Sequence, residues 1–280
     1  MSVDDTAIER AADAIRQADA MLVGAGAGMG VDSGLPDFRG DEGFWKNYPP
    51  FEKRGLNFYD LANPKWFEQD PELAWGFYGH RLHLYRQTEP HRGFALLASW
   101  AESMSLSPFV FTSNVDGQFQ KAGFDDAQIL ECHGTIHHLQ CAAPCRDEIW
   151  PADGIDVDVD PESFRAQGDL PACRHCSRVA RPNVLMFGDF AWIGDRTRTQ
   201  KQRFDRWLER AAETATVVVE CGAGTAVPTV RRQCEQASQR LDAPLVRINP
   251  HEAEAPADAV AIAAGAEETL SALDRRLPAT

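Results

Sequence analysis

The chain has 280 residues, 44% of them hydrophobic and 25% charged, the make-up of a globular protein long enough for one large domain carrying a smaller module. Its 28 basic residues against 42 acidic ones give a formal charge of -14, which repels nucleic acid and anionic lipid and leaves neither as an expected partner. No window approaches the uninterrupted apolar length of a bilayer span, so no membrane partner is expected.

Met1–Arg16 reads as an amphipathic helix carrying acids, not as a signal peptide. With seven cysteines, an odd number, the chain is expected in a reducing compartment, the cytoplasm; the sequence leaves the oligomeric state open, with a monomer favoured. The apolar segment Ala20-Met-Leu-Val23 then breaks into Gly24-Ala-Gly-Ala-Gly-Met-Gly30. A strand that opens through glycines into a helix brings backbone N–H groups near a bound phosphate. The spacing is not G-x-G-x-x-G, because Met29 and Val31 occupy the positions where a third glycine would stand.

Further strand-like runs follow at Phe109–Thr112, Ile129–Leu130, Val184–Phe187, Thr216–Glu220 and Leu245–Ile248, with helices expected at Gln200–Glu213, Val230–Arg240 and Ala266–Arg276. The alternation predicts an α/β fold: a Rossmann-like parallel sheet domain with a smaller inserted helical plus zinc-binding domain. The larger domain is expected from residues 1–40, 91–138 and 181–280. An aromatic-rich helical insertion, 41–90, and a cysteine-bearing insertion, 139–180, make the smaller one. Ligands of such sheets bind at the carboxyl ends of the strands.

Several motifs carry chemistry. Phe111-Thr-Ser-Asn-Val-Asp-Gly117 ends a strand, and its Asn114 and Asp116 suit either a carboxamide and ribose or a plain capping turn. Glu131-Cys-His-Gly-Thr135 puts His133 at a strand end, where an imidazole serves as a general base near neutral pH; His137 and His138 read as packing residues. Cys141-x3-Cys145 and Cys173-x2-Cys176, 27 residues apart, can close a tetrahedral shell of four thiolates around one structural zinc. Cys132, Cys221 and Cys234 read as small core residues. On a helix of the first insertion, Tyr78 and Arg81 of Trp75-Gly-Phe-Tyr-Gly-His-Arg81 share one face. An arginine fork beside a phenol would bind a carboxylate, whereas on an open surface the arginine would only pair with a nearby acid.

Gly26–Gly40, with Gly34-Leu-Pro-Asp-Phe-Arg39 behind the glycine loop, resembles the NAD-binding signature of the sirtuins, the NAD-dependent protein deacylases. Thr112–Asp116, Cys132–Gly134, Arg181–Asp189 and the two cysteine pairs resemble further motifs of that family, over nearly the whole chain. The resemblance implies NAD as co-substrate and structural Zn2+, one per chain. It implies NAD contacts at Gly26, Ala27, Gly28, Asp37, Phe38, Arg39, Ser113, Asn114, Asp116, His133 and Asn249, and at a second phosphate loop, Gly222, Ala223, Gly224 and Thr225. His133, Asn114 and Asp116 would be catalytic, with Phe38 shielding the activated ribose carbon and Arg39 on the phosphate side. Val184 and Phe187 would line the acyl-lysine tunnel. Tyr78 and Arg81 would select acidic acyl groups, as in sirtuins that remove succinyl, malonyl or glutaryl groups. The implied reaction consumes NAD and an acyl-lysine protein and yields nicotinamide, free lysine and 2′-O-acyl-ADP-ribose. Departures from the family pattern are Ser113 in place of its usual glutamine, Asp189 in place of glutamate, and the altered second loop. They keep an NAD glycohydrolase or mono-ADP-ribosyltransferase as the alternative.

Overall fold

A computed structural model of the chain describes residues 4–37 and 40–278. Helix α1 (Asp5–Arg16) starts where the Asp4 carboxylate accepts the Thr6 N–H, and it buries Ala7, Ile8, Ala11, Ala12 and Ile15, one stripe at helical spacing. Strand β1 (Ala20–Ala25) is buried along its whole length. After it come α2 (Gly40–Asn47), α3 (Pro49–Glu52), α4 (Phe58–Leu61), α5 (Trp66–Gln69) and α6 (Pro71–Gln87), and α7 (Arg92–Glu102) leads on to β2 (Phe109–Thr112). The short α8 (Gln118–Lys121) precedes β3 (Ile129–Glu131), β4 (Gly134–Cys141), β5 (Ile149–Pro151) and β6 (Ala180–Val184). The chain closes with α9 (Asp195–Ala211), β7 (Thr216–Cys221), α10 (Thr229–Leu241), β8 (Leu245–Ile248), β9 (Val260–Ile262) and α11 (Ala266–Asp274).

Six strands form a parallel sheet in the order β3-β2-β1-β7-β8-β9. From β1 the order runs one way to β2 and β3, and from β7 the other way to β8 and β9. The junction of β1 and β7 is therefore the switch point, beyond whose carboxyl ends ligands bind. Apolar clusters cover both faces, one built on α1, α7 and α11 with Val23, Val219 and Val246, the other on α9 and α10 with Leu22, Val218 and Leu245. Burial on both faces explains why β1 and β7 read as continuous apolar runs.

A second sheet, β5-β4-β6, is antiparallel. Its apolar cluster joins α2, α3 and α6 to the segment between β4 and β6, with Phe44, Tyr48, Phe51, Trp75 and Phe77 packing with Trp150, Val157 and Ala166. Trp75 is wholly buried and donates its Nε1–H to Ala180 O at 2.9 Å, fixing α6 to β6; a side chain buried this way contributes about 1.5–3 kcal/mol.

The strand expected at Val184–Phe187 lies elsewhere. β6 covers Ala180–Val184 and belongs to the small sheet. Beyond Val184 the N–H groups leave the ladder: Leu185 donates to His133 O and Phe187 to Ala62 O, both at 2.9 Å. A hydrophobic run cannot tell a ladder from a loop whose amides are satisfied one at a time. The helix expected after the first glycine loop is a tight 3-10 segment, Ala27–Ser33, stopped by Gly34 at φ 88. Phe38 and Arg39 lie outside the described residues.

Candidate active site

One cavity of about 860 Å³ opens at the β1–β7 switch point and runs between the two sheets. Its floor is made by two glycine loops that touch backbone to backbone. Gly26 N–H donates to Cys221 O, and Gly28 N–H to Gly222 O at 3.1 Å. A Cβ on Gly26 would lie 2.5 Å from Gly222 O, and one on Gly222 (φ +63) only 2.3 Å from Gly28 C. The glycines are thus fixed first by this close approach of two chains. Gly26, Ala27, Gly28, Gly222, Ala223 and Gly224 all line the cavity. Thr225 does not; its N–H and hydroxyl bond the Glu252 carboxylate. Asn249 is on the wall, where its Nδ2 donates to Ala223 O and its Oδ1 accepts from His251 and Glu252 N–H, all at 3.0 Å.

Opposite the floor, the end of β2 supplies Ser113, Asn114 and Asp116. Thr112 Oγ1 accepts the Asn114 N–H, and Asn114 Nδ2 donates to Gly26 O at 3.0 Å, so this amide also anchors the first loop. Asp116 Oδ1 accepts the Gln118 N–H. Burial raises the Asp116 carboxyl to about 6, against that N–H, with Glu131 raising it further and Arg81 lowering it. His133, half-buried on the same wall, is lowered below the usual histidine range by burial, against a hydrogen bond to the Ser113 backbone. A neutral imidazole and a raised carboxyl lining one cavity are a set that can accept and hold protons near neutral pH.

The far wall is α6. Tyr78, Arg81 and Tyr85, spaced to share one face, line the cavity with Phe58, Val184 and Phe187. Arg81 is 5% exposed, and its guanidinium lies 5.1 Å from the Phe77 ring centre, 5.5 Å from that of Tyr78 and 5.3 Å from that of Tyr85. Its Nε donates to Tyr85 Oη at 2.9 Å. The Tyr78 hydroxyl is buried with no hydrogen-bond partner among the described residues. Tyr85 was not singled out from sequence, although its helical spacing from Tyr78 and Arg81 was a usable signal.

Asp189, noted from sequence only as a departure from the family's glutamate, has a further role that no spacing revealed. It lines the cavity and takes both arms of Arg181, at 2.7 and 2.9 Å, in an ion pair with no exposed side-chain surface. It also accepts the Met186 and Ala191 N–H groups and so ties down the 185–191 loop. Asp189→Ala, by leaving Arg181 buried and uncompensated, is expected to cost about 3–5 kcal/mol. Urea unfolding measures this, and a loss below about 1 kcal/mol would show that the pair does not pin the loop.

Away from the cavity, the four cysteines gather with all sulfurs within 4.8 Å. Cys141 and Cys176 sulfurs stand 3.7 Å apart, as do those of Cys145 and Cys173. That is too far for a covalent bond of about 2.0 Å and near the roughly 3.8 Å between sulfurs of a tetrahedral site with Zn–S of about 2.3 Å. The donor set fits zinc, with no position left for water.

The Sir2 family model matches residues 26–228. Among curated proteins, the NAD-dependent protein deacetylase of Saccharolobus solfataricus is 33% identical over 181 residues, 65% of this chain and 65% of that protein. The NAD-dependent protein deacylase of Thermococcus sibiricus is 31% identical over 65% of each. These matches span a little less than two thirds of the relatives' lengths. NAD-dependent protein deacylase 1 of Archaeoglobus fulgidus is 28% identical over 87% of this chain and 86% of that protein. The solved structure of a Sir2 homologue–NAD complex shares the fold, with a TM-score of 0.70 over 96% of this chain and 93% of that one at 23% identity.

Proposed function

The chain belongs to the Sir2 family, the sirtuins, and from that premise we propose that it is an NAD-dependent protein-lysine deacylase. One observation carries the reading: a single cavity joins both glycine loops, Ser113, Asn114, Asp116 and His133 to an apolar wall ending at Arg81. NAD, when bound, supplies an electrophilic ribose carbon with nicotinamide as leaving group, which makes the reaction a transfer of the acyl group to ADP-ribose. The backbone of Gly26–Gly28 and Gly222–Gly224 would hold the phosphates, and Asp37 would contact NAD with them; Phe38, expected to shield the ribose carbon, and Arg39, expected on the phosphate side, lie outside the described residues. Asn249 would sit at the adenosine ribose. Ser113, Asn114 and Asp116 would orient the nicotinamide side, and His133 would take a proton from a ribose hydroxyl. Val184 and Phe187 would enclose the acyl-lysine of a protein substrate and exclude water. The two-domain division at 41–90 and 139–180, zinc as a structural ion, a cytoplasmic location and a monomeric state belong to the same reading. The described helices include none long and apolar enough to cross a membrane.

The test is nicotinamide release from NAD with no peptide, with an acetyl-lysine peptide and with a succinyl-lysine peptide. Peptide-dependent release supports the deacylase. Equal release without peptide would sink it in favour of NAD hydrolysis.

The same assay reads acyl selectivity. The partnerless Tyr78 hydroxyl and the buried Arg81 guanidinium at the end of the cavity favour an acyl chain ending in a carboxylate. A kcat/KM for succinyl- or malonyl-lysine on the order of 10²-fold above acetyl-lysine is expected. Arg81→Met should erase the preference by weakening the acidic substrates, and Tyr78→Phe should reduce it more mildly. Equal losses on both substrates would make Arg81 a structural residue.

A further inference from the structure

Strand β4 leaves its ladder beside the cavity. Against β6 it pairs Gly134 with Val184 and Thr135 with Asn183, then resumes only at Leu139 opposite Pro182. Ile136, His137 and His138 are therefore extra on one side, a bulge of the kind that re-aims residues next to functional sites. The bulge faces the turn after β2. Ile136 N–H donates to Val115 O at 3.0 Å, and His137 Nε2 lies 2.8 Å from Asp116 O. A carbonyl only accepts, so this ring nitrogen carries the proton. The imidazole also fills the space over Gly117 (φ +73), where an added Cβ would lie 2.7 Å from Cδ2 and 2.8 Å from Nε2 of the ring.

We propose that His137 is a positioning residue for the nicotinamide side of the cavity: from behind the wall it fixes the Val115–Gly117 turn, and through it the Asp116 carboxylate and the Asn114 amide. The proposal rests on the reading of Asn114 and Asp116 given above. His137 does not line the cavity, so it touches no ligand itself. The turn is also fastened by the Asn114 side chain on Gly26 O, by Ile136 N–H on Val115 O and by Gln118 N–H on Asp116 Oδ1. His137 adds to these a side-chain bond on the Asp116 carbonyl itself, from the β4 side. Burial keeps the ring below the usual histidine range and neutral at pH 7, so its one N–H stays committed to this carbonyl.

His137→Phe keeps a ring over Gly117 and removes the N–H, whereas His137→Gln can return an N–H to the place of Nε2. With acyl-peptide as substrate, the phenylalanine variant should raise both the KM for NAD and the inhibition constant of nicotinamide about tenfold. Peptide KM should stay within about twofold, the glutamine variant should recover most of the loss, and thermal unfolding should show both variants folded. Indistinguishable Phe and Gln variants, equal changes in the NAD and peptide KM, or an unfolded phenylalanine variant would each overturn the positioning role. Calorimetric titration of NAD and of nicotinamide into wild type and His137→Phe separates this from the deacylase reading. A tenfold affinity gap with no acyl-peptide turnover by the wild type would keep the positioning role and sink the activity, whereas turnover without the gap would do the reverse.

Discussion

Replacing His133 with alanine is expected to remove deacylation by about 10²–10⁴-fold, the contribution of a positioned general base, while NAD affinity stays within a few-fold. The substitution removes the imidazole's hydrogen bond to the Ser113 backbone but leaves the tie to the neighbouring loop in place. The bond that His133 makes to the 185–191 loop uses its backbone carbonyl, which accepts Leu185 N–H and survives the change. The pH profile tests the same assignment. A base must be neutral to act, so activity falls as pH drops through its pKa, and burial sets that pKa below the ordinary histidine range. Asp116, raised to about 6, also takes up its proton on the acid side of neutrality. Wild-type kcat/KM should thus hold down to mildly acidic pH and then fall more steeply than a single proton would cause. Deacylation by His133→Ala within a few-fold of wild type, or an acid limb above the usual histidine value, would remove His133 from the role of base.

Much of this was legible in the chain because its signals were local. Ala20–Val23 and Thr216–Glu220 read as strands since both faces are buried, which turns them into unbroken apolar runs. The glycine loops announced themselves, but for an incomplete reason: at Gly26 and Gly222 backbone packs on backbone across the switch point. Only the tertiary fold brings residues 26 and 222 together. β4 and β5 escaped notice because half-polar strands such as Thr-Ile-His-His-Leu-Gln show no clean alternation once a bulge interrupts the ladder. Val184–Phe187 was apolar for another reason, since it borders the cavity while its amides bond to Ala62 and His133. The Arg181–Asp189 pair and the role of His137 depend on contacts that no spacing reveals. The zinc ligands, by contrast, needed no fold to be seen, because thiolates that share an ion must come in short-spaced pairs.

Those four cysteines carry the other large effect. The segment between β4 and β6 has little ladder of its own: β5 is three residues long, and beyond it only the isolated bridges Val159–Ala166 and Ala172–Val179 occur among the described residues. Cys141 and Cys173 are buried in the apolar cluster that also holds Trp150 and Val157, so the ion would join the second knuckle to the end of β4. A structural zinc contributes about 10–16 kcal/mol to folding in small zinc modules at neutral pH, as much as the whole stability of an ordinary domain, about 5–15 kcal/mol. Cys173→Ser should therefore take the zinc content from one ion per chain to nearly none and lower the melting temperature by on the order of 10 °C or more, at about 2–4 °C per kcal/mol for a chain of this size. Activity should fall with it, although no cysteine of the four lines the cavity, because β4 and β6 hold the wall that includes Val184. Strong chelation of the wild type should reproduce the loss, and added zinc should restore the wild type but not the variant. Metal analysis and a melting curve decide the matter: a zinc-free protein with wild-type melting and activity would leave the four sulfurs as a cluster without an ion.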